Sequence, residues 1–211
     1  MATIILIRHG HNDWIDQKRL AGWTPGVHLS ELGRRQAEEV GERLAALPVA
    51  AVYSSPVTRC VETAICIARP LHLAVIENEA LGEVRYGEWE GRPMSDLTKE
   101  SLWQTIQTTP SRVRFPGGET LCEVQWRAVT ALEEIAQSHP KQLVAVVSHA
   151  DVIKLALAHF LGLHVDLFQR IVIAPASVSV MALAGGAARV LRVNDDGPLE
   201  TLKELRPDNE Q

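Results

Sequence analysis

Two apolar runs, each closely followed by a histidine, constrain the fold of this 211-residue chain most. Residues 3–7 read TIILI and lead into Arg8 and His9, and residues 143–147 read LVAVV, two positions ahead of His149. Apolar runs without polar alternation are typical of strands that are covered on both faces. We therefore predict two interior strands of an α/β sheet, each with a histidine at its carboxyl end.

Helical and extended patterns alternate along the rest of the chain. Ser30 is a candidate N-cap for the first long helix. We expect helices over 30–47, 57–69, 95–107, 119–138 and 151–161, and further strands over 49–53, 73–76, 178–183 and 189–193. This alternation predicts a three-layer α/β/α sandwich with a mostly parallel central sheet. We expect a single domain over 1–211, with the polar residues 198–211 loosely attached.

The composition excludes several classes of partner. A formal net charge of −5 argues against nucleic acid or an anionic membrane as a partner of the whole surface, although a small cationic pocket is compatible with it. Three cysteines without metal-ligand spacing indicate reduced, buried thiols. With neither a signal peptide nor a membrane span expected, the prediction is a cytoplasmic protein. The oligomeric state is left open, with a homodimer as one option.

Charged side chains follow several predicted strands. Ligands bind outside the carboxyl ends of strands in open α/β sheets, so His9 and His149 are expected to share one pocket. Arg8 precedes His9, Arg59 lies in the first turn of the helix after the second strand, and Glu83 lies in the glycine-containing stretch LGEVRYGEWEG. A site with two histidines, two arginines and a carboxylate could bind an anion and transfer a proton to or from it.

Each of these side chains also has a purely structural interpretation. Arg8 and His9 could form a polar surface pair at a strand end. Arg59 could be a cation on a helix surface, and His149 a buried core histidine. Glu83 competes with two other acidic residues of the same loop, at positions 88 and 90.

The arrangement resembles the histidine phosphatase superfamily, which contains cofactor-dependent phosphoglycerate mutases and many small phosphatases. The similarity covers nearly the whole chain, in the family's order. It rests on Arg8-His9-Gly10 with Trp14 and Gly22-Trp23, and on the segments HLSELGRRQAEEV, SSPVTRCVETA, LGEVRYGEWEG, PGGET and VVSHADVIK. The resemblance implies a phosphoglycerate mutase-like fold and favours Glu83 as the catalytic carboxylate, because its competitors lie beyond Gly87.

The resemblance also implies a mechanism without a metal or cofactor. His9 would form a phosphohistidine, while Arg8 and Arg59 hold the phosphate oxygens. A protonated His149 would add a further donor. Glu83 would protonate the leaving group and then activate water. The expected activity is hydrolysis of a small phosphomonoester.

Further contacts to the substrate are expected around this core. Asn12, Gly22 and the backbone N–H of Ala150 are candidates for contacting the phosphate, and Arg85 for contacting an acidic group of the substrate. The segment 85–116 is expected to act as a lid that determines the substrate.

Several positions depart from the family pattern, among them Asn12 and Ala150, which can still contact the phosphate. His11 and Ile15 stand where relatives commonly carry Glu and Asn, and Ala21 replaces a Ser or Thr. Asp151 is expected to cap the helix at 151, because Asp favours N-cap positions. If it pointed into the pocket instead, its charge would weaken anion binding.

Two other functions use the same residues. A mutase would need the same five groups, but the stretch 84–148 is shorter than in mutases that retain a second anionic group, which favours a phosphatase. A non-catalytic module that binds a phosphorylated ligand would be expected to have lost the nucleophile or an arginine. All five groups are present in this chain.

Overall fold

The computed structural model describes residues 1–197. The predicted loose tail, 198–211, lies outside the described residues. Six strands form one sheet in the order β3-β2-β4-β1-β5-β6. Their bounds are β1 Ala2–Arg8, β2 Val49–Ser54, β3 Val75–Glu77, β4 Leu143–Ser148, β5 Val178–Ala184 and β6 Ala187–Asp195.

The two apolar runs form neighbouring interior strands. β1 and β4 pair in parallel, with Ile5 opposite Ala145 and Arg8 opposite Ser148. β2 and β3 continue the parallel part, whereas β5 pairs antiparallel with both β1 and β6. The mostly parallel central sheet is therefore confirmed.

Helices cover both faces of this sheet. Their bounds are α1 Asp13–Asp16, α2 Glu31–Ala45, α3 Thr58–Leu71, α4 Met94–Leu97, α5 Ser101–Thr108, α6 Leu121–Ser138 and α7 Ala150–Phe160. Alternate residues of a strand point to opposite faces. Ile5 and Ile7 share a buried cluster with residues of α2 and α3, and Ile4 and Leu6 share another with residues of α6 and α7. The three-layer sandwich is confirmed.

The structure corrects several helix boundaries. Ser30 caps α2 as predicted, accepting from the N–H of Gly33. α6 begins at Leu121 rather than at 119, because Thr120 and Glu123 form a reciprocal capping box. The helix expected over 95–107 is divided into α4 and α5. Among residues 1–197, no helix is long and apolar enough to cross a membrane.

Candidate active site

The two histidines meet at the carboxyl ends of β1 and β4. Their ring centroids lie 5.3 Å apart with an interplanar angle of 65°. His9 is 4% exposed and His149 is fully buried. The parallel pairing of the strands explains this proximity, because Arg8 and Ser148, which precede the histidines, are register partners.

His9 is held as a neutral imidazole whose Nε2 is a hydrogen-bond acceptor. Its Nδ1 lies 2.8 Å from the carbonyl oxygen of Gly10, so Nδ1–H donates there. Nε2 accepts from Nε of Arg59 at 3.1 Å. Burial first, and then the positive charges of Arg59 and Arg8, lower the pKa of His9 well below its usual value. The lone pair therefore resides on Nε2.

Arg59 connects the parts of the site. It lies in the first turn of α3 and is 1% exposed. Its Nη2 donates to the carbonyl of Gly22 at 3.0 Å and lies 3.0 Å from Nδ1 of His149. Within residues 1–197, two buried guanidinium nitrogens have no hydrogen-bond partner at this site, Nη1 of Arg59 and Nε of Arg8. Buried donors normally have acceptors, so this pair suits an anion.

His149 is also neutral. Burial and then the charge of Arg59 lower its pKa well below the usual value. Its Nδ1 accepts from Arg59, and its Nε2 lies 2.8 Å from Oγ of Ser55, to which Nε2–H donates. This bonding pattern does not fit the expected protonated His149.

A buried thiol lies against the same ring. Sγ of Cys60 is 3.4 Å from Nε2 of His149. Burial raises the pKa of Cys60 to about 12. The thiol therefore stays protonated and serves as packing behind the histidine.

Glu83 completes the constellation. Its Oε2 lies 3.5 Å from Nη2 of Arg59 and 3.4 Å from Nδ1 of His149, and its Oε1 accepts from the N–H of Val84. Burial is the main cause that raises the pKa of Glu83 to about 7, against the lowering effect of Arg59. A carboxyl with this pKa exchanges a proton near neutral pH.

Arg127 of α6 holds the loop that carries Glu83. Its Nη1 donates to the carbonyls of Ala80 and Gly82 at 2.7 and 2.8 Å, and its Nη2 to the carbonyl of Glu83 at 2.9 Å. Its Nε pairs with Glu119. No motif in the sequence marked Arg127, since a single arginine on an amphipathic helix is common.

These groups surround a cavity of about 380 Å³. Among the predicted site residues, the lining includes Arg8, His9, Asn12, Gly22, Arg59, Glu83 and Ala150. Asn12 also caps α1, with its Oδ1 accepting from the N–H of Trp14. His149 contacts the site from behind, through Arg59.

The structure places Arg85 outside the cavity lining, against the expectation. Its guanidinium stacks 4.1 Å above the ring of Trp23 and pairs with Glu79 at 2.6 Å. Glu88 and Glu90 are also outside the lining, and Oε1 of Glu90 accepts from the N–H of Tyr86.

The positions that departed from the family pattern have distinct roles. His11 lies outside the lining and connects Ser30 to Asp16, with contacts of 2.8 and 3.2 Å. Ile15 and Ala21 line the cavity.

Asp151 does not cap α7. The N-cap position belongs to His149, whose backbone is extended, and Asp151 lies within the first turn. Its side chain lines the cavity, where Oδ2 accepts from the hydroxyl of Tyr86 at 3.0 Å and Oδ1 from Nζ of Lys154 at 3.1 Å.

The cavity also has a wall that no sequence pattern marked. Gln169, Ile171, Val172 and Ile173 follow α7 and line part of the cavity. The segment 85–116 contributes Tyr86 to the lining. Apolar residues in a connecting stretch resemble any other core residues in the sequence, so this wall required the structure.

Within the described residues, no group of three or more His, Cys, Asp or Glu side chains is placed to hold a metal ion. The chemistry available at the site is that of a neutral imidazole, two guanidinium groups and a carboxyl that titrates near neutral pH. This set suits the binding of an anionic group such as a phosphate, with a carboxyl beside it that can exchange a proton.

Comparison with known proteins agrees with such a site. The chain belongs to the histidine phosphatase superfamily, whose branch 1 model matches residues 4–196. It is 30% identical over 197 residues to phosphoserine phosphatase 1 of Hydrogenobacter thermophilus, covering 92% of both chains. A 2,3-bisphosphoglycerate-dependent phosphoglycerate mutase 2 of Gloeobacter violaceus is 30% identical over 74% of both chains.

A solved structure shows the same fold over nearly the whole chain. YhfR of Bacillus stearothermophilus superposes with a TM-score of 0.88 and 29% identity, covering 95% of this chain and 100% of that one. The phosphoglycerate mutase-like fold is thereby confirmed. The chain is a phosphoric monoester hydrolase of a superfamily that also includes mutases.

Proposed function

We propose that this protein hydrolyses a small phosphomonoester through a phosphohistidine on His9, without a metal ion or cofactor. The observation that carries the proposal is the arrangement around Arg59. Its Nε donates to Nε2 of a neutral His9, while its buried Nη1 is without a partner in the described part of the chain. A phosphate bound to Arg59 would therefore be presented to the nucleophilic nitrogen.

The first half of the reaction transfers the phosphoryl group to the enzyme. Nε2 of His9 attacks phosphorus, and the bond from phosphorus to the ester oxygen breaks. Glu83, which is largely protonated below pH 7, gives its proton to the departing oxygen. Arg8 and Arg59 stabilise the negative charge on the phosphoryl oxygens during transfer.

The second half releases phosphate. Ionised Glu83 takes a proton from water, the water oxygen attacks phosphorus, and the bond from phosphorus to Nε2 breaks. His9 regains its lone pair, and inorganic phosphate leaves. A neutral nucleophile suits both halves, because an anionic one would be repelled by the phosphate.

Hydrolysis is favoured over mutase transfer by the lining of the cavity. Ile15 and Ala21 offer apolar side chains where a mutase would bind a doubly phosphorylated intermediate. A mutase must retain that intermediate between its two steps, whereas a phosphatase releases the alcohol. We propose further that the chain acts as one domain in which 85–116, through Tyr86, helps to select the substrate.

The proposed compartment is the cytoplasm. Cys60, Cys66 and Cys122 are all unpaired. Free thiols, including the exposed one of Cys122, fit a reducing environment.

Release of p-nitrophenol from p-nitrophenyl phosphate in the presence of EDTA tests the proposal. Wild-type protein should turn over, and His9→Ala should show no turnover above background. His28→Ala removes an exposed histidine outside the cavity and serves as the matched control. Loss of wild-type activity with EDTA, or its persistence in His9→Ala, would contradict the mechanism.

A second measurement separates phosphatase from mutase. The protein is incubated with 3-phosphoglycerate, with and without its bisphosphate cofactor, and both phosphate release and isomerisation are followed. Phosphate release without isomerisation is expected. Isomerisation faster than release would establish the mutase instead.

A further inference from the structure

The cavity contains an ion pair that takes no direct part in the proposed chemistry. Asp151 and Lys154 lie one turn apart on α7, and both side chains line the cavity. Their contact is 3.1 Å, and the side chains are 30% and 17% exposed. Tyr86 fixes the second carboxylate oxygen through a hydrogen bond of 3.0 Å.

This pair does not help to bind phosphate. A carboxylate two positions after His149 repels an anion held by Arg8 and Arg59. Lys154 offsets that charge, so the pair is neutral as a whole. A half-buried pair of opposite charges within a binding cavity suits a partner that also carries both charges.

From this arrangement we infer that Asp151 and Lys154 bind the ammonium and carboxylate groups of a phosphorylated α-amino acid. The substrate's ammonium group would lie against Asp151 and its carboxylate against Lys154. Positive and negative charges would then alternate around the substrate's ammonium, Asp151, Lys154 and the substrate's carboxylate. Asp151 and Lys154 would each still have a group of opposite charge beside it. The inference rests on the proposed function, whose substrate class it names.

The dimensions of α7 agree with a short substrate. Ala150, which directly follows His149, and Lys154 both line the cavity and are four residues apart, which is about 6 Å along a helix axis. In a phosphate ester of a hydroxylated amino acid, a few single bonds of about 1.5 Å each separate phosphorus from the head group. A small O-phospho amino acid can thus span the distance along α7 from the residue after His149 to Lys154.

Four substrates separate the contributions of the two charges. O-phosphoserine carries both groups, phosphoethanolamine only the ammonium, and 3-phosphoglycerate only the carboxylate, while p-nitrophenyl phosphate carries neither. For each charged substrate, kcat/KM is divided by the value for p-nitrophenyl phosphate with the same enzyme. This ratio removes any effect of a variant on the chemical step itself.

Asp151→Asn should lower the ratio about 10- to 100-fold for O-phosphoserine and phosphoethanolamine but not for 3-phosphoglycerate. Lys154→Met should lower it by a similar factor for O-phosphoserine and 3-phosphoglycerate but not for phosphoethanolamine. Glu39→Gln and Arg35→Met, at exposed positions of α2 outside the cavity and outside the segment 85–116, should leave all ratios unchanged.

Equal ratios for all substrates in the wild type would overturn the inference. So would variants whose losses do not follow the charge of the substrate. If the wild type failed to hydrolyse p-nitrophenyl phosphate, the proposed function itself would fall. If the wild type hydrolyses all four substrates without preference, only the role assigned to Asp151 and Lys154 is overturned.

Discussion

Burial of a single residue, Glu83, is expected to set the pH range in which the enzyme is active. Its pKa of about 7 means that it is protonated at lower pH, as the first step requires. We expect kcat/KM to fall as the pH rises through about 7. The pKa of His9 is lowered well below its usual value, so the part of the pH–rate profile that reflects protonation of His9 lies at more acidic pH. A pH–rate profile of Glu83→Gln checks the assignment.

The variant should lose the descending limb and on the order of 10²- to 10⁴-fold in rate. The substrate's own ionisation contributes equally to both profiles, so their difference isolates the enzyme group. An unchanged descending limb in Glu83→Gln would assign that limb to another group.

The same residue lowers stability as the pH rises from about 4.5 to about 7. Because the pKa of Glu83 is about 7 in the folded state against an ordinary 4.5, the penalty for its ionised form grows between these values as pH rises. Glu83→Gln should therefore be more stable than the wild type at pH 8, by up to about 3 kcal/mol, and gain little at pH 4.5. Denaturant unfolding at the two pH values measures this, and an equal gain at both would indicate another cause.

At the scale of elements, α6 holds the loop that carries Glu83, the proposed acid, although the loop lies outside the helix. Arg127 donates to three carbonyls of that loop, a set that a lysine ammonium on a flexible stem does not reproduce. Arg127→Lys should lower kcat on the order of 10-fold or more, because Glu83 loses its fixed position. Steady-state kinetics with thermal unfolding of the same samples measures the effect.

Thr120→Ala is the matched control on the same helix. It removes the capping box at the start of α6 and should cost about 1 kcal/mol of stability. Its kcat should stay at the wild-type value. If the two variants lost kcat in proportion to their stability, Arg127 would have no positioning role.

At the scale of the whole molecule, binding of an anion should stabilise the fold. Buried nitrogens of Arg8 and Arg59 without partners in residues 1–197 gain acceptors when phosphate binds. At 100 times its Kd, phosphate should add about 2.7 kcal/mol and raise Tm by roughly 5–10 °C. Chloride at equal ionic strength should give no such rise in Tm. In Arg59→Met, phosphate should no longer raise Tm. Equal shifts in the wild type and Arg59→Met would refute specific binding.

Much of this molecule could be predicted because local chemistry and fold agree. The apolar runs at 3–7 and 143–147 allow few alternatives to interior strands, and Ser30 is a clear helix start. The capping box formed by Thr120 and Glu123 was also present in the sequence and would have given the correct start of α6.

Other parts depend on packing that the sequence does not express. Asp151 was predicted as a cap because of its residue type, but the N-cap of α7 is His149, two residues earlier. Arg85 was predicted as a substrate contact because of its charge, but the ring of Trp23 and the carboxylate of Glu79 hold it elsewhere. Neither outcome follows from residue type and spacing.

Alkylation of the Cys60 thiol can be used to measure how often the region behind His149 becomes accessible to solvent. Cys122 is exposed and Cys66 partly so, whereas Cys60 lies buried beneath the ring of His149. An alkylating reagent will mark the three positions in order of their access to solvent. Modification of Cys60, which follows that of Cys122 and Cys66, will therefore report how often the packing of α3 against the strand ends opens.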